Sequence, residues 1–325
     1  MASLSGIVKK REEDYPLEIA KLINALPGAI SQGIIWGLLA IGVYITYKIL
    51  EVSDLTVDGS IATGGAVCTI LIINGWSAPA AMLAAFAVGM ICGLVTGVLH
   101  TGMGIPAILA GILTQLALYS VNLRIMGGKA NTALSVMKYD LLVTSRNVRA
   151  LSFENPILIL GVFAALIIGI LYWFFGTGYG CAMRATGANA NMARAQGINT
   201  NRAKVVGLML ANGIVALAGA LLCQYQGFAD VQMGRGAIVI GLAAIIIGEV
   251  LLDKLFRNFA LKLTTCVIGA IMYYIVITFV LRLGLESSDL NLLTALVVAL
   301  FLAVPYWKGK YFKKRVKGGA LHAGH

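Results

Sequence analysis

The chain has 325 residues, of which 59% are hydrophobic and only 12% charged, and its mean hydropathy is +0.88. A soluble surface takes roughly 25% charged residues, so lipid must be the solvent for much of this length, and a soluble enzyme is excluded. The formal net charge of +11 gathers at the ends of apolar segments and in the tail WKGKYFKKRVKGG, a placement that suits anionic lipid headgroups and argues against nucleic acid as a partner.

Residues 1–25 carry KKR at Lys9–Arg11 followed by EED, with no apolar core leading to a cleavage site, so they are not expected to be a cleavable signal peptide. Tyr15–Leu26 reads as a short interfacial amphipathic helix. A hydrocarbon slab about 30 Å thick takes roughly 20 helical residues to cross. Spans are predicted at Leu26–Leu50, Pro79–His100, Ile105–Val121, Pro156–Gly176, Ala203–Tyr225, Ala260–Leu283 and Leu290–Tyr306. Pro27, Pro79, Pro106 and Pro156 fall at or near starts, where proline's missing N–H loses nothing.

Two apolar segments are shorter and glycine-broken: Ser60–Asn74 and Gly236–Leu252. They read either as ordinary short helices with packing glycines or as interrupted helices, which lipid tolerates only where protein or a water-filled cavity receives the freed backbone groups. The fold class is therefore an all-α polytopic membrane protein of about 8–10 transmembrane helices, with short discontinuous ones. It has a single membrane domain over 26–306 and a basic tail over 307–325.

A shift of 176 residues lays Ser60–Asn74 on Gly236–Val250, 26–50 on 202–226, and 79–121 on 255–297. SDLTVDGS and ADVQMGRG precede the two short segments, with Asp54 over Asp230 and Gly65 over Gly241. Identity between the halves is weak, so order and spacing carry this reading. Repeat 1 covers about 26–121, repeat 2 about 203–306, and the span 156–176 joins them. An offset of five crossings makes the repeats inverted, an architecture that puts a substrate path at the repeat interface, lined by the broken helices.

The loop 177–205 carries Arg184, Arg194, Arg202 and Lys204 with no acid, and the tail is likewise basic, so both are expected to be cytoplasmic. Asn122–Asn155 then faces outside although it is itself net basic, and the same count puts the N-terminus outside.

Catalytic chemistry has little to work with. HExxH, GxSxG and GxxxxGK[ST] are all missing from the sequence, so ATP is not held here in the usual phosphate cradle. His100 reads as a helix-end residue. Cys68, Cys92, Cys181, Cys223 and Cys266 lack ligand spacing and read as packing residues, so no metal site is expected. Proton-coupled carriers hold titratable groups within the membrane, whereas Lys48, Glu249, Asp253 and Lys262 fall near segment ends. Ala85, Gly89, Gly93 and Gly97 form a small-residue ridge, read as internal helix packing in preference to a dimer seam. Gln32, Thr114, Gln115, Tyr119, Asn212 and Gln224 are uncharged polar residues inside spans. With Gly64, Gly65 and Gly241 of the broken segments they are the candidates for lining a path, although each polar one serves equally as an interhelical hydrogen bond.

RATGANANMARAQGINTN, Arg184–Asn201, is small and polar, with two arginines and no acid. ANANMARAQG reads as a helix of about two turns over 188–196. Thr186 or Asn189 can cap its start and Gly197 suits a left-handed residue after its end. The stretch resembles the cytoplasmic coupling motif of ABC transporter permeases of the branched-chain amino acid and ribose importer type, through Gly187, Asn189, Ala193-Arg194 and Gly197-Ile198. DLTVDGSIATGGAV, Asp54–Val67, resembles the tryptophan/tyrosine-type subgroup. The likeness runs from about Ile30 to Leu302.

What the resemblance implies is a permease subunit of a bacterial inner-membrane importer, working as a homodimer, with no cofactor of its own. A cytoplasmic ATP-binding subunit would drive it through Arg184, Ala185, Thr186, Gly187, Asn189, Met192, Ala193, Arg194, Gly197 and Ile198 in the loop 177–202. An extracytoplasmic substrate-binding protein would deliver a small polar solute, an amino acid and aromatic amino acids in particular. The alternative is an ATPase-independent secondary transporter with inverted repeats.

Overall fold

The computed structural model describes residues 24–149, 155–252 and 258–282, with separate helical positions between 292 and 303. Most of the predicted interfacial helix at the N-terminus, about half of the span Leu290–Tyr306 and the basic tail lie outside the described residues. Among the described residues six helices are long and apolar enough to cross a membrane: α1 (Asn24–Ile49), α3 (Ala78–Thr101), α4 (Ala107–Ile125), α5 (Pro156–Gly176), α8 (Thr200–Gln226) and α10 (Phe259–Leu281, continuing to Arg282). α2 (Val57–Ile73) and α9 (Ala237–Leu252) are shorter. Between α5 and α8 stand α6 (Gly178–Ala188) and the six-residue α7 (Ala190–Ala195). A helix over 178–188 is not among the sequence expectations, because its glycines and threonine mask its period. Two three-residue strands, β1 (Asn131–Ala133) and β2 (Phe228–Asp230), pair antiparallel with Thr132 opposite Ala229, a small departure from an all-helical fold.

The proline signal holds at Pro79 and Pro156, which lie in the first turn of α3 and α5. Pro106 is instead the residue before α4, and Pro27 lies inside the described part of α1.

Contacts set the depth of each element. The face carrying α6 and α7 is called here the near face, and that carrying the strand pair the far face. Tyr225 Oη at the end of α8 reaches Gly28 O at the start of α1 (3.4 Å). At the other end, Gly187 of α6 lies against the carbonyl of Ile49. α1 and α8 are therefore antiparallel neighbours, and both are largely buried, whereas α4 and α5 are mostly open. After α1 the chain turns back inward: Asp54 meets Asn212, halfway along α8. α2 thus starts inside the slab and climbs to the far face, where Gln224 Nε2 lies 3.5 Å from Cys68 Sγ. After β2 the chain dips in again, Gly234 abuts the carbonyl of Asp58, and α9 descends to the near face, where Glu249 meets Lys48. At 1.5 Å per residue each short helix is about 25 Å long. The two start side by side at mid-depth and run in opposite directions, so they are interrupted helices in fact.

Reciprocal contacts join the two halves. The ridge Gly89, Gly93, Gly97 of α3 lies on Asn212–Ala216, Leu208–Met209 and Val205 of α8. Gly33 and Gly37 of α1 lie in the same way on Ile271 and Val267 of α10. The ridge is therefore internal packing, as expected. With lipid on both sides of the comparison, close approach and interhelical hydrogen bonds hold such helices together. A side chain at Gly93 would press on the backbone of Leu208 and come 2.8 Å from Met209 Cα. Gly93→Val is expected to cost about 1–3 kcal/mol and to lower the apparent melting temperature of the detergent-solubilised protein. Gly161→Val, where no atom lies within 4 Å, should leave it nearly unchanged.

Candidate functional site

Breaking a helix inside lipid frees backbone N–H groups, and the sequence supplies the acceptors. Asp54 Oδ1 accepts from Thr56 N (2.9 Å) just before α2, and Asp230 Oδ1 accepts from Gln232 N (2.6 Å) in the turn leading to α9. Both are Asx turns, and they stand 176 positions apart, the same spacing as the repeat read from the sequence. Asp58, in the first turn of α2, accepts from Gly236 N (3.1 Å) and Ile238 N (2.9 Å) at the start of α9. One carboxylate therefore sits where two helix N-termini, each carrying partial positive charge, converge.

Around Asp54 a polar network spans four elements. Asn212 Nδ2 donates to Asp54 Oδ2 (2.7 Å) and to Leu208 O (3.0 Å), while Ser60 Oγ donates to Asn212 Oδ1 (2.6 Å). Thr56, Thr96 and Thr114 continue it as a hydroxyl chain at 2.7 and 2.9 Å. Asp54 is only 2% exposed. A carboxyl group buried at this depth is tolerated because both its oxygens are bonded.

Beside this network lies a cavity of about 160 Å³, lined by Asp58, Gln115, Tyr119, Asn122, Gln232 and Arg235 among others. Asn122 is 1% exposed, and neither atom of its amide has a partner among the described residues. A buried amide in that state costs free energy unless water or a solute meets it. The cavity is thus polar, small and incomplete.

The path candidates divide between roles. Gln115 and Tyr119 line the mid-depth cavity. Asn212 and Thr114 belong to the Asp54 network. Gln224 is a tie, accepting from Leu142 N (3.1 Å). Gln32 lies in the far third of α1 and is half-buried. Gly64 rests on the backbone of Ala216, Gly65 on Met233 and Gly241 on Val43. The carboxylates were missed: Asp54 and Asp58 read as flanking residues of a polar loop, and the sequence gives no depth for a loop that turns back inward. The pairing of Asp54 with Asp230 is the signal that could have located them.

On the near face, Asn189 caps α7, accepting from Asn191 N and Met192 N at 3.1 and 3.0 Å. Thr186, the other cap considered, lies inside α6 and donates to Ala182 O. Gly197 has φ +81° and lets Ile198 N reach Ala193 O (3.0 Å) and Gly197 N reach Arg194 O (2.9 Å), a closed left-handed helix end. Ala193 is 3% exposed and roots the helix; Met192, 64% exposed, is its outward point. Arg194 Nε donates to Thr200 Oγ1 (2.9 Å). Arg184 Nη2 donates back to Phe175 O (2.9 Å). Gly187 sits on the end of α1, while Ala185 accepts from Asn189 N and joins α6 to α7.

A lipid-embedded helical body whose two interrupted helices start together at a polar mid-depth cavity defines a solute permease. The family described as branched-chain amino acid transport system permease component matches residues 26–305, and the chain belongs to it. It is a multi-pass membrane protein of the bacterial inner membrane and the permease component of an ABC-type importer, and its relatives are transport permeases rather than enzymes. A tyrosine transport system permease protein of Clostridioides difficile is 38% identical over 86% of this chain and 91% of its own length. An uncharacterized protein of Rickettsia prowazekii is 33% identical over 86% of this chain and 98% of its own. An autoinducer 2 import system permease protein of Yersinia pseudotuberculosis is 33% identical over 72% of this chain and 62% of its own. The solved structure of PsaBC from Streptococcus pneumoniae in complex with Fab aligns with a TM-score of 0.53 at 16% identity, covering 91% of this chain and 99% of that one, a likeness of fold alone.

The network around Asn212 is open to direct test. Asn212→Ala strands a buried carboxylate and the Ser60 hydroxyl, and is expected to cost about 1–3 kcal/mol, read as a fall in apparent melting temperature. The double variant with Asp54→Ala should lose less than the sum of the two single variants.

Proposed function

We propose that this chain is the permease subunit of a binding-protein-dependent importer that moves a small polar solute by alternating access, driven by a separate cytoplasmic ATP-binding subunit. The name of the Clostridioides relative supports an amino acid as the solute, aromatic amino acids first. ATP would bind the partner subunit and no cofactor this chain, and an extracytoplasmic substrate-binding protein would deliver the solute. The observation that carries the reading is α7: a helix of six residues closed at both ends, rooted by Ala193 and presenting Met192 outward. A helix far too short to be stable alone is built and capped here, and a docking knob is its use. The basic, acid-free stretch around it supports the near face as cytoplasmic.

A continuous set of contacts leads from the knob to the cavity. α6 seats Gly187 on the end of α1; Lys48 of α1 pairs with Glu249 of α9 at 3.0 Å; α9 begins at the Asp58 carboxylate. Displacement of α7 would tilt α9 and reshape the mid-depth cavity. The reciprocal α1–α10 and α3–α8 contacts support two inverted repeats rocking about that point.

The mid-depth cavity also supports a homodimer. It opens beside α4, whose outer face shows Ile112, Leu113, Leu116 and Tyr119. Asp58, Arg235 and Gln232 cannot face hydrocarbon without large cost, and a second copy covering that face would shield them and enclose the path.

Met192→Glu, which alters the knob's surface and none of its packing, is expected to cut co-purification with the ATP-binding subunit and ATP-driven uptake by tenfold or more, that is at least about 1.4 kcal/mol of coupling. Ala193→Asp should abolish both. Leu116→Cys is expected to give a disulfide-linked homodimer in oxidised membranes, while Leu158→Cys, on open α5, should stay monomeric on a non-reducing gel. The carboxylates at mid-depth favour one rival, an ATPase-independent secondary transporter. Robust uptake by vesicles that hold this chain and no ATPase would replace the importer reading with that one.

A further inference from the structure

A second cavity, about 740 Å³, opens on the near face between the end of α5, the start of α6 and the first turn of α10. Arg184, Lys262, Thr177 and Asn258 line it together with the exposed rings of Tyr172 and Trp173. Arg184 is held in place: Nη2 donates to Phe175 O (2.9 Å) and lies 3.3 Å from Cys181 Sγ, and its guanidinium stands 5.9 Å from the Phe259 ring. Both bonds come from Nη2, and the fork has three more N–H groups on Nε and Nη1. Lys262 occupies the first turn of α10, the positive end of a helix, where an anion rather than a cation is favoured. Two cations and a helix start thus converge on one space, and the ligand they fit is a phosphate group.

The surroundings identify its source. Along α5, Leu158, Val162 and Leu166 are exposed at four-residue intervals, and Trp173, 71% exposed, ends the same line at the cavity rim. A tryptophan between an apolar stripe and a cationic hollow lies at headgroup level. We propose that the cavity binds the phosphate of an anionic glycerophospholipid of the near leaflet, its acyl chains lying along the α5 stripe. Bound there, the lipid bridges α5, α6 and α10, and α6 leads into α7. The site belongs to the membrane and not to the solute path, so it stands whichever solute is carried.

The test is retention of lipid by the full chain with its partner subunits, in nanodiscs of equal parts phosphatidylcholine and phosphatidylglycerol. Native mass spectrometry should find phosphatidylglycerol enriched. Lys262→Gln and Arg184→Gln should each lower that enrichment roughly five-fold. Lys262→Arg should keep it, as should Lys138→Gln on the far face. Should Arg184→Gln fail to give a monodisperse protein, Lys262→Gln carries the test alone. Equal retention of the two lipids, or an enrichment indifferent to Lys262→Gln, overturns the proposal. Inorganic phosphate at millimolar concentration should not displace the lipid; displacement would assign the cavity to a soluble phosphate and overturn the lipid assignment.

Discussion

The rest of the structure depends on one carboxylate. Two helices that begin inside a membrane expose N–H groups which lipid cannot satisfy, and the cost of each unpaired group is several kcal/mol. Asp58 accepts from the start of α9 while standing in the first turn of α2. It therefore closes the backbone of one interrupted helix and offsets the dipoles of both. Asp54 does the same for the entry to α2 by accepting from Thr56 N, and without the breaks there would be no polar space at mid-depth. The loop geometry, the closeness of the two halves and the cavity follow from this requirement.

The crossings were legible in the sequence because lipid imposes a simple rule, a long run of apolar residues. Pro156–Gly176 agrees to the residue, and Thr200–Gln226 extends the expected Ala203–Tyr225 only by its capping turns. The order and spacing of the two short segments were legible too, and Asp54 over Asp230 reappears as two equivalent Asx turns. Of the near-face motif, the Asn189 cap and the Gly197 end could be read because both are local. What could not be read was depth. A polar loop such as SDLTVDGS looks the same whether it floats in water or folds back into the protein. Which of the two it does is decided by Asn212, 158 residues away from Asp54. Arg184 raises the same difficulty at the surface: its charge is plain in the sequence, but its tether to Phe175 and Phe259 is tertiary.

The glycines show how this chain is held together without a hydrophobic driving force between helices. α3 against α8 and α1 against α10 meet at glycine ridges so close that backbone touches backbone. Such seams are unforgiving of side chains but present little to resist sliding. They would suit the proposed alternating access, in which the two halves keep contact while changing angle.

Ties between distant parts of the chain are found at both ends of the body. On the far face β1 pairs with β2, Leu134 N reaches Gly227 O (2.8 Å), Gln224 holds Leu142, and Tyr225 holds Gly28. On the near face Lys48 pairs with Glu249, both side chains about a third exposed, and the Arg184 guanidinium stands 5.9 Å from the Phe259 ring. An exposed ion pair of this kind is worth little, on the order of 0–1 kcal/mol. The near end is also where α6 and α7 attach, against the last carbonyls of α1. Under the proposed coupling, a force applied at α7 would act on the last carbonyls of α1 and, through the Lys48–Glu249 pair, on α9, whose start borders the Asp58 cavity.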